Sequence, residues 1–300
     1  MKVIRWLILM GLFSGCMPET PDYPHDLDET MLAVSCGLTP DDSVHFVHVE
    51  SIYGCSEFSN EDCGDLGYRS YGLEGANVEL RIHDTTYVGV QTGEVYIAYQ
   101  VKVAIQAEDS VELRASHPEY ESVWSSIIVP GEVTIEHSGD GQTSTSALHF
   151  SWDTAPYAAG YDSYLYLLGI SDTSSLRIRL FDGFDPWEST TWDDPPSKER
   201  TYSVNISSII GQVDFLRNEG ELPSGFPVMY DSLFLQLEVW SLDKAYYYTM
   251  LKQYAPDEYS GFSAPLTQFS NIEQGVGVFG SYWKSHSTPV PINKTLLISP

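Results

Sequence analysis

The chain has 300 residues, and 13% of them are aromatic, including 20 Tyr and 7 Trp, which supports a sizeable core and excludes wholesale disorder. Against 15 Lys and Arg stand 42 Asp and Glu, a formal net charge of −27. A field of that sign repels nucleic acid and anionic lipid headgroups, so neither is expected as a partner.

Met1 to Cys16 reads MKVIRWLILMGLFSGC. Lys2 and Arg5 make a basic start, Trp6 to Phe13 an apolar run, and Ser14-Gly15 a small-residue approach to Cys16. The run falls well short of the roughly 20 apolar residues of a transmembrane helix, and no later stretch approaches that length. Charge order, apolar length and small residues together read as a secretory signal. The segment resembles the lipobox of bacterial lipoproteins, with Phe13 where Leu is usual. That resemblance implies loss of residues 1–15 and lipid on Cys16, each buried methylene contributing about 0.8 kcal/mol to anchorage. Residues 16–30 are rich in proline and acid and read as an extended, solvated tether. Without residues 1–15, residues 16–300 are enough for about two domains of ordinary size.

With Cys16 lipidated, Cys36, Cys55 and Cys63 remain. An exported chain with three cysteines is expected to hold one disulfide and one free or buried thiol. Cys55–Cys63, closing the short SEFSNED loop, is the first choice; pairing of Cys36 with either is the alternative. Zinc is disfavoured, since no Cys-x-x-Cys pair or suitably spaced His accompanies them.

From Met31 the text turns to strands. Leu32–Ser35 and Val44–Val49 flank the turn Thr39-Pro40-Asp41-Asp42. Val78–Ile82 and Val111–Ala115 alternate apolar and charged residues, as half-buried strands do. Tyr96–Ala107 sets Val101, Val103 and Ile105 on one face, and Ser122–Val129 closes the series. Spacing of this kind predicts a β-sandwich over 31–130. In the remainder, 131–300, strands are predicted at Val133–His137, Leu148–Trp152, Gly160–Leu168, Arg177–Phe181, Tyr202–Ile206 and Leu233–Ser241. The last of these puts Leu233, Leu235, Leu237 and Val239 on one face. Helices are predicted over Ser208–Arg217 and from Asp243, which can cap a run with Tyr247, Leu251 and Tyr254 at i, i+4 and i+7.

Several stretches resemble known families. LHFSWDTAPYAAGYDSYLYLL is similar to the B and C strands of fibronectin type III domains, in which a buried Trp and a Tyr after Gly pack the core. Glu74-Gly75-Ala76-Asn77-Val78 resembles a strand of carboxypeptidase-regulatory (transthyretin-like) sandwiches. Residues 234–283 carry a strand running into SLDKAYYYTMLKQY, then GFSAPLTQFSNIEQ, then GVGVFGSYW. That succession resembles the Bacteroidota lipoproteins of domain-of-unknown-function family 4249. The resemblance implies an all-β chain of two β-sandwich domains, the first carboxypeptidase-regulatory-like and the second fibronectin type III-like. It also implies attachment to the outer membrane beside a TonB-dependent receptor. The cysteine loop at 55–63 departs from the usual pattern.

Chemistry-bearing motifs are few. Gly275-Val-Gly-Val-Phe-Gly280 matches G-x-G-x-x-G, but its alternation through Trp283 reads as a strand with close backbone packing rather than a dinucleotide turn. His45 and His48, three apart on a predicted strand, point to opposite faces and cannot share a metal. No G-x-S-x-G elbow occurs, and the acids are too abundant to single out a glycosidase pair. The chain is therefore expected to be non-enzymatic, with no cofactor, although acidic turns leave room for calcium. The most suggestive stretch is 182–199, DGFDPWESTTWDDPPSKE, with Trp187 and Trp192 beside Asp185 and Asp193. Rings beside carboxylates suit a sugar or a protein partner. The second functional expectation is accordingly a surface glycan-binding protein or polysaccharide hydrolase working through that loop.

Overall fold

The computed structural model describes residues 31–54, 68–93, 97–182, 198–254 and 270–298. The first half supplies β1 (Met31–Leu38), β2 (Val44–Gly54), β3 (Tyr68–Gly72), β4 (Asn77–Ile82), β5 (Thr85–Val88), β6 (Val90–Thr92), β7 (Ala98–Lys102), β8 (Ser110–His117) and β9 (Tyr120–Ile128). The second half supplies β10 (Ile135–Ser138), β11 (Ala147–Trp152), β12 (Gly160–Ile170), β13 (Ser175–Asp182), β14 (Thr201–Asn205), helix α1 (Ile206–Asn218), β15 (Ser232–Leu242), helix α2 (Lys244–Tyr254), β16 (Val276–His286) and β17 (Val290–Ile292). The protein is mainly β, in sandwich-like layers.

One large sheet runs β13-β12-β15-β16-β1-β2-β7-β6, with β17 on β15 and β3 on β2. The sheet β5-β4-β8-β9 and the sheet β10-β11-β14 form the facing layers. Two cores result. The first takes Val34, Val49, Leu80, Val101, Leu113 and Val123 from alternating strand positions. The second gathers Leu148, Phe150, Leu165, Leu167, Leu235 and Leu237, with Ile209 and Val213 of α1 laid across them. The expected boundary at Pro130-Gly131 falls between β9 and β10, yet Ile272 and Phe279 pack in the first core.

Strand β16 links the two halves by changing partners along its length. Its first part pairs in parallel with β1, from Ala33↔Val276 to Leu38↔Ser281. Its second part pairs antiparallel with β15, from Leu242↔Tyr282 to Glu238↔His286. From Val276 onward the G-x-G-x-x-G run thus lies in a strand, as its alternation predicts, with Gly275 just before it. Gly277 sits at φ +121, and a Cβ there would come 2.0 Å from the Val34 carbonyl oxygen. Helix α2 lies on the same sheet, so close that a Cβ on Gly160 would meet the Tyr247 ring at 2.2 Å.

The fibronectin-like phrase folds as its pattern implies: Trp152 and Tyr161 are buried, edge to face, with centroids 6.0 Å apart. The Tyr161 hydroxyl accepts the Ala155 N–H at 2.9 Å. His45 is buried, its Nε2 3.2 Å from the Val103 carbonyl oxygen, while His48 is exposed on the other face. Two expected strands are shortened. The run through Ile206 stops at Asn205, whose extended backbone (φ −84, ψ 140) opens α1; the Ile206 N–H donates to the Ser146 carbonyl, off the ladder. Within 97–107 only Ala98–Lys102 is strand, although Val103 and Ile105 still reach the core.

Candidate functional site: an aromatic and cationic band on the large sheet

The apolar face of β15 is legible in its leucines; its other face is where the chemistry lies. Register aligns Tyr164, Glu238 and His286 in one rung across β12, β15 and β16, and Asp162, Trp240 and Lys284 in the next. On the flank, β13 places Arg179 opposite Tyr166 and Arg177 opposite Leu168. Side chains two apart on a strand share a face, so these rungs form one band on the side of the sheet away from the second core.

Rings fill the band's centre. Trp240 stacks on Tyr282 at 4.6 Å with 10° between planes, Tyr164 tilts against Trp240 at 4.7 Å, and Tyr246 of α2 meets Tyr282 at 4.9 Å. Cations cover the rings: Arg177 lies 3.8 Å from the Tyr166 centroid, Arg179 4.1 Å from that of Tyr164, and the Lys284 ammonium 5.2 Å from that of Trp240. Each such contact contributes about 0.5–1 kcal/mol where exposed. The Lys284 ammonium also pairs with Asp41 at 2.8 Å, tying the band to the β1–β2 turn.

Glu238 anchors the arrangement. Its buried carboxylate accepts from Arg177 at 2.6 Å, from Trp240 Nε1 at 2.6 Å, and pairs with His286 Nε2 at 2.8 Å. The Tyr166 hydroxyl lies 3.4 Å away. Burial pushes the Glu238 carboxyl up, but the hydrogen bonds from His286, Trp240 and Arg177 outweigh it and hold the group at about 2. So placed, Glu238 is a saturated structural anion and a poor proton acceptor at neutral pH. Asp243, immediately after β15, behaves in the opposite way. It caps α2 by accepting the Tyr246 N–H at 2.7 Å, and it accepts the Ser281 N–H at 2.9 Å. Burial nonetheless raises it to about 7, against the pull of those donors.

The residues singled out from sequence fall elsewhere. Cys16, Cys55, Cys63, Trp187, Trp192, Asp185 and Asp193 lie outside the described residues. Cys36 lies in β1, buried and free, its thiol pushed by burial to about 12, so it is not poised to react. Among the described residues, no three His, Cys, Asp or Glu side chains are grouped to hold a metal ion. No described helix is long and apolar enough to cross a membrane. The band itself escaped sequence reading, although Tyr-x-Tyr, Arg-x-Arg, Glu-x-Trp and Tyr-x-Lys-x-His on successive strands were its signal.

The layers define a mainly β protein with a polar-aromatic outer sheet face. No family model matches the chain, and no curated protein matches it. Among solved structures, the FN1-FN3 domains of chicken CNTN1 align at 10% identity over 84% of this chain. The chain spans 65% of that structure's length, and the TM-score of 0.17 marks a superposition too loose to define a shared arrangement of strands.

Proposed function

We propose that this chain is a non-enzymatic binding protein of the cell envelope. Lipid on Cys16 anchors it to the outer membrane, and the band on its large sheet docks against a TonB-dependent receptor. The band carries the reading: Trp, Tyr and Arg are the residues that dominate binding energy at protein interfaces, and here they cluster on one face. Their rotamers are held by stacking and by Glu238, so little side-chain entropy is left to lose on docking. The order of residues 1–16 supports anchorage, and the likeness of residues 234–283 to the family 4249 lipoproteins supports the choice of partner.

The test is to purify the lipidated full chain in mild detergent from its own membranes and identify what accompanies it by mass spectrometry. A β-barrel receptor should co-purify near stoichiometrically with the wild type. The double variant Trp240→Ala/Tyr282→Ala, checked for folding by circular dichroism, should lose it at least tenfold. Recovery of the protein alone, or equal capture by the double variant, rejects the reading.

A further inference from the structure

The facing layer of the first core, β5-β4-β8-β9, has an outward face of its own. Register sets three rungs there: Asn77 with Ser116; Glu79 with Arg114 and Trp124; Arg81 with Glu112 and Ser126. The residues between them, Val78, Leu80, Val111, Leu113 and Val123, fill the core, so the polar set necessarily faces out. Above it lies a trough of about 590 Å³ lined by Asn77, Glu79, Arg114, Trp124, Ser126 and Gln274 among others. A second, of about 310 Å³, shares Glu79, Glu112 and Arg114 with the first and continues over Arg81, Asp84 and Thr86. The two make a track across all four strands, of a size usual for ligand clefts.

Three properties of the track narrow its ligand. First, Trp124 is 49% exposed in mid-strand, and no aromatic ring among the described residues packs on it. Second, charge is nearly balanced. Arg81 pairs with Glu112 at 3.4 Å, Arg114 lies 4.0 Å from the same carboxylate, and Asn77 Nδ2 donates to Glu79 at 2.9 Å. Exposed pairs of this kind hold one another weakly, so their donors and acceptors exchange readily to ligand hydroxyls. Third, the rim is built rather than loose. Trp124 and Glu273 exchange both backbone hydrogen bonds, at 3.3 and 2.8 Å, and the Ser125 hydroxyl donates to the Asn271 carbonyl at 2.6 Å.

We infer that this track binds a neutral oligosaccharide, with a pyranose ring stacked on Trp124 and its hydroxyls taken by Asn77, Glu79, Glu112 and Arg114. A single flat ring among paired carboxylate, guanidinium and amide groups matches a sugar's apolar ring face and its equatorial hydroxyls. The near-neutral lining gives no preference for an ion of either sign. A protein partner is disfavoured too, because apart from its single ring the track is lined by Glu79, Glu112, Ser116 and Ser126, residue types that protein interfaces deplete, and it lacks the clustered aromatic rings of the other band. The site lies on a different sheet from the aromatic band and stands independently of the docking reading.

Native affinity electrophoresis of the full chain in mild detergent tests this, using gels cast with xyloglucan, mixed-linkage β-glucan, galactomannan or dextran. At least one should slow the wild type. Trp124→Ala should abolish the slowing, Trp124→Phe should retain most of it, and Arg114→Ala should weaken binding at least fivefold. Trp240→Ala, in the other band, should leave it unchanged. No slowing in any of the four gels overturns the inference. So does slowing that Trp124→Ala leaves intact. Trp124 is a surface side chain, and near-ultraviolet circular dichroism checks that its variants fold; the Phe and Arg114 variants decide the matter even if the Ala variant does not.

Discussion

Glu238 and Asp243 stand five positions apart and are driven in opposite directions by their surroundings. Glu238 is ionised down to about 2, below its ordinary 4.5, so the stability it contributes is present above pH 4.5 and is lost as pH falls toward 2. Asp243 is raised to about 7 from its ordinary 3.8. Its contribution is therefore full below pH 3.8 and is lost as pH rises through 7, when a buried charge must be carried. For these two groups together the fold is most stable near pH 4. Chemical denaturation across pH 2 to 8 should show Asp243→Asn flattening the alkaline limb by a few kcal/mol, since Asn still caps α2. Glu238→Gln should remove the acid limb and lower stability at pH 7 by about 2 kcal/mol. An unchanged alkaline limb in Asp243→Asn would show that another group carries it. Sequence made Asp243 legible as a cap, because that role is local. Glu238 was not legible as an anchor, because Arg177 and His286 are 61 and 48 residues away.

Among the elements, β16 is held by what its residues lack. Gly277 takes φ +121 and passes the Val34 carbonyl with no room for a side chain. Gly277→Ala should push β16 off β1 and cost about 3 kcal/mol or more. Gly211 in α1 is the opposite case, since a Cβ there meets nothing within 4 Å. Gly211→Ala should therefore stabilise the fold by about 1 kcal/mol through helix propensity alone. Urea midpoints at unchanged slope measure both; equal effects of the two substitutions would refute the packing argument. The helix from Asp243 and the strand character of Val276–Trp283 were set by periodicity. The parallel partner of β16 was not, because β1 lies some 240 residues earlier and parallel pairing leaves no turn in the sequence to announce it.

At the scale of the molecule, one strand belongs to both halves. Phe279 fills the first core while Tyr282 to His286 pair with β15, the spine of the second. Calorimetry should accordingly give a single transition for both cores, with van't Hoff and calorimetric enthalpies in agreement. Two separated transitions would mean that β16 transmits little between them. A chain ending at Pro130 lacks β16 and exposes the edge of β1, so it should not form the first core stably.

Hydrophobic alternation alone determined that this is a mainly β protein, with apolar strand faces and two helices near 206–218 and 244–254 in the places the structure shows. It did so because the sorting of apolar from polar side chains repeats every two or 3.6 residues and is written locally. Only the tertiary structure decided which outward faces matter. A tyrosine, an arginine or a tryptophan on a solvent face looks the same in sequence whether isolated or shared. The bands at Trp240 and Trp124 exist because strand register sets residues from separate segments within about 5 Å of one another.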